Sequence, residues 1–339
     1  MPSADPPRFW LRFEHEASHC PACGSSSLEL LDVFKIPRDA KGRRVAFVTV
    51  CRGCGVIFAN PLPTDAELRS HYAADGDATY AAARQRIASR QASEQRAPAG
   101  QDERELLLDS ISTHVPVRRP RSGAKALDFG CGDGKYLDLL QDAGWETYGI
   151  EPSTDAAFTR HRRLDAPPQD QSFDFAMLHH VLEHVTRPLA VLRDIAAALR
   201  ADAVLFLSVP RLDTLPEHRD FKYCLDGRNH VMAFTEASLR GLLARSGFRR
   251  AVTVESPELD ALLTGGTRLR LRIAAWRGAP DTEGSKAAYP DAVRALRAYR
   301  RGQNGMLSSV SSMVPVRMRG AFLDRAIERR AQERRRARA

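Results

Sequence analysis

The hydrophobic pattern of the chain changes character near residue 124. From there, short apolar runs typical of strands alternate with segments whose apolar spacing is typical of helices. We predict strands at 124–129, 146–150, 173–178, 203–209, 250–255 and 268–275, and helices near 134–143, 153–161, 187–200 and 235–246. Strands that alternate with crossover helices favour a parallel sheet. We therefore expect an α/β domain over residues 116–277.

The flanking regions follow other patterns. Residues 73–101 are rich in Ala, Gln, Arg and Ser and lack an apolar stripe, which indicates a polar helix or a linker. Glu103–Val115 is typical of a short amphipathic helix, so residues 73–115 are interpreted as a helical linker. Residues 1–72 form a separate N-terminal region, and residues 278–339 a helical C-terminal tail.

Charge is concentrated in that tail. The chain carries a net +9, and the stretch 317–339 holds nine arginines against three acidic residues. Such a tail contacts nucleic acid or acidic lipid in some proteins, and in others it is a solvated helix end. Apolar runs long enough for a membrane span or a secretory signal are missing from the sequence. We therefore expect a cytoplasmic protein without a membrane partner.

Four of the six cysteines form two C-x-x-C pairs: Cys20, Cys23, Cys51 and Cys54. Each pair is followed by a glycine, Gly24 or Gly55, that allows the left-handed turn of a metal-binding knuckle. Four thiolates suit a tetrahedral Zn²⁺, and a site made wholly of protein ligands is structural. A strand at Val45–Val50 would bring the second pair to the first. The alternatives are structural cysteines or a redox pair.

A glycine-rich turn follows the strand that begins at residue 124. The run Leu-Asp-Phe-Gly-Cys-Gly-Asp-Gly covers residues 127–134, and it ends where the first helix of the domain is expected to start. Glycines let a ligand approach the backbone closely, and the helix start offers free N–H groups. Glu151 closes the next strand, where a carboxylate can accept the hydroxyls of a ribose.

These motifs, together with YGIEPS and FDFAMLHHVLEHV, resemble those of class I S-adenosylmethionine-dependent methyltransferases over residues 104–277. The resemblance implies a Rossmann-like sheet that binds S-adenosylmethionine. It places Asp128, Gly130, Gly132 and Gly134 around the methionine part of the cofactor and Glu151 at the ribose. A dinucleotide-binding domain is the competing interpretation, but its third glycine would stand one residue later.

One segment departs from the family. Only 21 residues separate Glu151 from Phe173, and no clear third strand is visible among them. Asp165 matches the acidic region that faces adenine in related enzymes. The short segment leaves three alternatives: weak cofactor binding, an altered adenine pocket, or a non-catalytic relative.

The combination of zinc knuckles and methyltransferase motifs resembles the bacterial deoxysugar C-methyltransferases. The resemblance implies that His230 is a general base and that His184 lies near the substrate. Asn229 precedes His230 where those enzymes have Glu, so another acid would have to orient the imidazole, with Asp220 and Asp226 nearest in sequence. His180 and His184 would share a face if their segment were helical. Tyr72 and Tyr80 are candidates to cover the site.

Three functions are compatible with these features. The first is methyl transfer from S-adenosylmethionine to a small molecule, such as a sugar, a nucleotide sugar or a natural-product intermediate. The second is methylation of RNA, with the arginine-rich tail as a contact. The third is a non-catalytic partner subunit. Leu178-His179-His180-Val181 stands where enzymes that methylate base amines often carry Asn/Asp-Pro-Pro-aromatic, which argues against that subclass.

Overall fold

The computed structural model describes residues 16–36, 43, 45–68, 102–152, 161–277, 288–303 and 315–336. The strands are β1 Leu28–Lys35, β2 Val45–Cys51, β3 Ile57–Asn60, β4 Lys125–Phe129, β5 Glu146–Ile150, β6 Arg162–Arg163, β7 Phe173–His179, β8 Leu199–Pro210, β9 Met232–Ala233, β10 Arg250–Thr253 and β11 Arg270–Trp276. The helices are α1 Glu103–Ser112, α2 Lys135–Asp142, α3 Pro188–Ala198, α4 Leu215–His218, α5 Phe221–Cys224, α6 Glu236–Arg245, α7 Pro257–Thr264, α8 Ala288–Gln303 and α9 Val316–Arg336. A single 3₁₀ turn covers Leu182–His184.

The larger sheet has seven strands in the order β10-β11-β8-β7-β4-β5-β6. Neighbouring strands from β6 to β8 run parallel, while β11 runs antiparallel to both β8 and β10. This mostly parallel sheet confirms the α/β, Rossmann-like fold expected from the sequence. The strand order reverses between β4 and β7, and open α/β sheets bind ligands beyond the carboxyl ends of their strands at such a point.

The sheet is covered on both faces, which explains the apolar runs of its central strands. Leu205 and Leu207 of β8 pack on one face in a cluster that includes side chains of α3 and α6. Phe206, which points the other way, packs in a second cluster with side chains of α1 and α7. Since successive strand residues face opposite sides, a strand buried on both faces shows no polar alternation.

A second sheet has both cysteine pairs at one end: Cys20 and Cys23 precede β1, and Cys51 and Cys54 lie where β2 turns into β3. It is antiparallel, in the order β1-β2-β3-β9, and β9 comes from the C-terminal half of the chain. Ile57 and Phe58 of β3 pair with Ala233 and Met232 of β9. The N-terminal region is thereby joined by backbone hydrogen bonds to the loop that leads into α6.

The two C-terminal helices pack on this second sheet. Ala292 and Leu296 of α8 are buried in a cluster with side chains of β2 and β3. Arg317 of α9 binds both carboxylate oxygens of Glu16, with N···O distances of 2.7 and 2.6 Å. Only the later part of α9 has the exposed arginines of a solvated helix end. Among the described helices, none is long and apolar enough to cross a membrane.

The structure differs from the predicted elements in three places. The segment after Glu151 does contain a third strand, since Arg162–Arg163 pairs in parallel with β5. Its two-residue length left no apolar pattern to detect. Strand β8 begins at Leu199, inside the predicted helix 187–200, because Leu199 pairs with Phe173. Helix α7 falls between two predicted strands. The predicted helix 153–161 and the linker 73–101 lie almost wholly outside the described residues.

One ion pair between the larger sheet and helix α7 is almost wholly buried. The Arg272 guanidinium of β11 donates to the Asp260 carboxylate of α7 at 2.7 Å, and the two side chains are 2% and 6% exposed. Removing one partner of such a pair leaves an uncompensated buried charge. The pair therefore fixes α7 against β11.

We predict that Asp260→Ala lowers the free energy of unfolding by about 3–5 kcal/mol, because it strands the Arg272 charge. Chemical denaturation followed by circular dichroism measures this. Glu255→Ala is the matched control, since it breaks the exposed Arg268–Glu255 pair at 3.4 Å and should cost less than about 1 kcal/mol. Equal, small losses in both variants would show that the buried pair is not a structural requirement.

Candidate active site and four-cysteine centre

The turn after β4 is built by its glycines. Gly130 has φ +81° and donates its N–H to the Ile150 carbonyl at 2.7 Å, which ties the turn to the end of β5. A Cβ on Gly130 would lie 2.6 Å from the Val181 side chain. A residue with a side chain would therefore meet both backbone strain and a clash at this position. The turn closes where Gly134, with φ +78°, precedes α2.

Glu151 stands opposite this turn. Its carboxylate accepts the Gly132 N–H at 2.9 Å. Gly132 has φ +54°, and a Cβ built on it would have no described atom within 4 Å outside its chain neighbours. The exposed backbone of Gly132 and the Glu151 carboxylate thus border one open space, at the start of α2 and the carboxyl edge of the sheet.

Asp128 lies beneath the turn and is 3% exposed. Burial, with a smaller contribution from the Glu151 charge, raises the pKa of its carboxyl from 3.8 to about 7. In the unfolded chain this carboxyl ionises near pH 4. The protonated form is favoured in the fold, so its contribution to stability falls as pH rises from about 4 to about 7. A positive charge bound nearby would offset that loss.

Next along the carboxyl edge of the larger sheet, at the end of β7, lie several histidines and the buried carboxylate of Glu183. Glu183 is fully buried, and His180 donates Nδ1–H to its Oε1 at 2.8 Å. The Nε2 of His184 lies 3.8 Å from the same oxygen. The segment is not the helix that would place His180 and His184 on one face: His180 has φ +57°, and only a 3₁₀ turn follows. Instead, both imidazoles lie next to the Glu183 carboxylate.

His230 reaches the same place from another loop. Its ring centroid lies 4.7 Å from that of His184, and its Nδ1 donates to the Tyr223 carbonyl at 2.6 Å. The structure therefore brings together the two histidines that the sequence singled out. Neither expected acid orients the imidazole through a hydrogen bond among the described residues. Asp226 accepts N–H groups of its own loop, including that of His230, and Asp220 accepts the Tyr223 N–H.

Burial dominates the titration of these groups. It lowers the pKa of His184 to about 4, although the Glu183 charge opposes the shift. The pKa values of His179 and His180 also fall well below 6.5, first because of burial. Three buried atoms of this group have no hydrogen-bond partner among the described residues: His179 Nδ1, His180 Nε2 and Glu183 Oε2. His179, His180 and His184 are therefore neutral at pH 7. The three unpartnered atoms leave hydrogen-bonding capacity for a ligand.

Three ligand atoms here also match a cation site. One atom each from Glu183, His184 and His230 lie within 4.8 Å of one another. The Nδ1–H of His230 is held by a backbone carbonyl, which is the usual arrangement for a metal-binding imidazole. This part of the edge can thus accept a proton or hold a divalent ion.

The four-cysteine centre has the dimensions of a tetrahedral metal site. The sulfurs of Cys20 and Cys54 are 3.6 Å apart, those of Cys23 and Cys51 3.5 Å, and all four lie within 4.8 Å of one another. Zn–S bonds of about 2.3 Å require sulfur separations of about 3.8 Å. None of the six cysteines is in a disulfide.

The backbone around the cysteines has the expected knuckle conformation. Gly24 has φ +77° and donates to the Cys20 carbonyl, and Gly55 has φ +72° and donates to the Cys51 carbonyl, each at 2.8 Å. The neighbouring thiols, Cys20 first, lower the pKa of Cys51 to about 2. The contact with Cys51, together with burial, raises the pKa of Cys20 to about 12. The cluster thus favours one thiolate over several until a cation compensates the charge.

Other predicted residues have a less defined place. Asp165 follows β6 at the carboxyl edge, and its side chain is exposed. Tyr72 and Tyr80 lie outside the described residues. The sequence analysis assigned no role to Glu183 or Tyr223. It also assigned none to Tyr136, whose hydroxyl lies 3.4 Å from His179 Nε2, or to Arg270, which interacts with Tyr223. Of these, Glu183 had a signal, because it sits between the candidate histidines of VLEHV.

A cavity of about 430 Å³ lies elsewhere, between β1 and the helices α8 and α9. Two of its arginines, Arg300 and Arg319, already share the Asp32 carboxylate. Its lining includes no residue of the glycine turn or of the histidine cluster.

Comparison with known proteins identifies the kind of domain that carries this sheet edge. The model of a family described as "Methyltransferase domain" matches residues 92–252. The ubiquinone biosynthesis O-methyltransferase of Haemophilus ducreyi is 31% identical over 106 residues, covering 25% of this chain and 45% of that protein. The mitochondrial enzyme of the same name from Bos taurus is 28% identical over 124 residues, covering 31% and 33%. The chain spans less than half the length of these curated relatives.

Among solved structures, the chain is similar to the 1,6-didemethyltoxoflavin-N1-methyltransferase of Burkholderia thailandensis, determined with 1,6-didemethyltoxoflavin and S-adenosylhomocysteine. The identity is 18%, the TM-score 0.46, and the match covers 74% of this chain and 100% of that one. The family match falls on the residues that build β4, the glycine turn, β5 and β7. This chain contains a methyltransferase domain of the class I, S-adenosylmethionine-dependent type.

Proposed function

We propose that this protein transfers a methyl group from S-adenosylmethionine to a hydroxyl of a small molecule. The observation that carries the proposal is the open space bordered by Gly132 and Glu151, with the histidine cluster at the same sheet edge. The curated relatives are named O-methyltransferases, which supports oxygen as the acceptor atom.

The cofactor fits the residues that border this space. The Glu151 carboxylate can accept hydrogen bonds from both ribose hydroxyls, and the lack of a side chain at Gly132 allows the ligand to approach. Asp128 can balance the positive sulfonium, which would restore the charged form of its carboxyl. When bound, S-adenosylmethionine supplies the electrophilic methyl group. The chain's own residues have to orient the acceptor and remove its proton.

His230 is the better candidate for the base. A general base works best with a pKa near the operating pH, and the pKa of His184 at about 4 makes it a weak one. The bond from His230 Nδ1 to the Tyr223 carbonyl leaves Nε2 as the atom that can accept a proton. His184 packs edge-on against His230 and is placed to hold the imidazole and the acceptor.

Zn²⁺ is the metal we propose for the four-cysteine centre. The donor set and the sulfur separations suit it, and four protein ligands leave no open position for chemistry. Its role is therefore to stabilise the N-terminal sheet by fixing the two cysteine turns to each other.

The first test of the function is transfer of label from S-adenosylmethionine to the small-molecule fraction of an extract. We expect Glu151→Ala to weaken cofactor binding about ten- to a hundred-fold, because a charge-assisted hydrogen bond contributes about 1.5–3 kcal/mol. Gly132→Val should also weaken it, by filling the open space. Isothermal titration measures both.

The matched control is Glu146→Ala, at the opposite end of β5, which should bind the cofactor normally. Unchanged affinity in both Glu151→Ala and Gly132→Val would place the cofactor elsewhere. Label found in RNA alone would argue against a small-molecule acceptor.

For the cysteine centre we expect about one zinc per chain by metal analysis of the purified protein. Cys51→Ser should lose the metal and lower the melting temperature, because the second turn is no longer fixed. Cys131→Ser is the control: its thiol is buried outside the cluster, so zinc content should stay at one. A structural zinc would be disproved if the purified wild-type protein contained no metal, or if removing the metal left its melting temperature unchanged.

For the base we expect His230→Ala to lower turnover by about 10²–10⁴-fold, with a smaller loss in His184→Ala. Both should keep their melting temperature and cofactor affinity. The exposed His114→Ala is the control and should retain full activity. Normal turnover in both variants would end the proposal. Lost turnover with a large fall in melting temperature would assign a structural role.

A further inference from the structure

We propose that the methyl acceptor carries an anionic group, a carboxylate or a phosphate, and that Arg270 binds it. This inference rests on the proposed function and specifies the chemical class of its substrate. It concerns a residue for which the sequence suggested no role.

Arg270 lies at the sheet edge where the histidines lie. It is the first residue of β11 and pairs with Pro210, the last residue of β8. Because β11 runs antiparallel to β8, its start coincides with the carboxyl ends of the parallel strands. His179, the last residue of β7, pairs with Ser208 of β8, two residues before Pro210. Arg270 therefore belongs to the same edge as the candidate reaction site.

Neighbouring arginines have carboxylate partners, whereas Arg270 has none among the residues that the structure describes. Arg211 binds Glu236 at 3.0 Å, and the exposed Arg268 lies 3.4 Å from Glu255. The buried Arg272, two residues along β11, binds Asp260 as described above. Within the part of the chain that the structure describes, no ion pair within 4.0 Å involves Arg270, although its side chain is partly buried.

An unpaired, partly buried guanidinium is costly unless something compensates it. The Tyr223 hydroxyl is a hydrogen-bond partner but carries no charge at neutral pH, and Glu103 acts only from a longer distance. The positive field reaches the histidines, since Arg270 helps to lower the pKa of both His179 and His180. A bound anion would relieve this field.

Tyr223 links this cation to the candidate base. Its side-chain hydroxyl interacts with Arg270, and its backbone carbonyl accepts Nδ1–H of His230 at 2.6 Å. A single tyrosine therefore separates the proposed anion site from the proposed proton acceptor. A small hydroxy acid, or a hydroxylated phosphate ester, carries both an anionic group and a hydroxyl.

The experiment measures binding of benzoate, phenyl phosphate and the neutral benzamide to protein saturated with S-adenosylhomocysteine. We expect at least one of the two anions to bind, and to bind about ten- to a hundred-fold more weakly in Arg270→Met. Arg270→Lys should fall between wild type and Arg270→Met, because an ammonium keeps the charge but not the planar fork. The matched control is Arg268→Met, which should bind the anion normally.

The inference is overturned if neither anion binds the loaded wild-type protein, or if both bind Arg270→Met as tightly as wild type. If Arg270→Met does not fold, the test rests on Arg270→Lys. We expect its affinity for the anion to be about three- to ten-fold lower than that of the wild type. S-adenosylhomocysteine affinity is measured in every variant. If the wild type does not bind S-adenosylhomocysteine, the proposed function is disproved. If the wild type binds S-adenosylhomocysteine normally but binds neither anion, only this inference is disproved.

Discussion

The backbone of Val231 holds the candidate active site together. Its carbonyl accepts the N–H of Ala59 from β3 at 3.0 Å, and its own N–H donates to the Glu183 carbonyl at 2.8 Å. One residue thus connects the cysteine-bearing sheet, the loop that presents His230, and the 3₁₀ turn that presents His184. Val231 is fully buried, so its polar groups have to be paired. The N-terminal sheet is therefore part of the framework of the reaction site.

The carboxyl edge of the larger sheet holds ionisable groups that the fold would not keep for stability alone. Asp128 and Glu183 are buried at this edge, and Glu183 Oε2, His179 Nδ1 and His180 Nε2 lack hydrogen-bond partners among the described residues. Buried groups of this kind cost free energy. Their concentration at the switch point between β4 and β7, while the interior strands are apolar, is what a preorganised binding site requires.

Much of the fold and of the candidate site could be predicted from the sequence, because these features depend on interactions between residues close together in the chain. The glycines of the turn after β4 were predictable from backbone sterics, and Gly130 shows why, with its positive φ and its contact with Val181. The paired C-x-x-C-G motifs predicted a cluster of four cysteines, which the structure contains. The short strand β6 was missed, because two arginines give no apolar period. The terminus of α3 was misplaced, because tertiary pairing of Leu199 overrode helix propensity.

The sequence by itself determined the α/β sheet, the glycine turn with Glu151, and the pairing of the cysteine motifs. These depend on periodicity, backbone sterics and short spacings. Only the tertiary structure decided what surrounds His230, because His184 reaches it from a distant segment of the chain. The Tyr223 carbonyl, rather than an acid, accepts its Nδ1–H. The position of Arg270 likewise required the antiparallel register of β11 on β8. Contacts between residues far apart in the chain leave no local pattern, because they are set by how strands and loops pack.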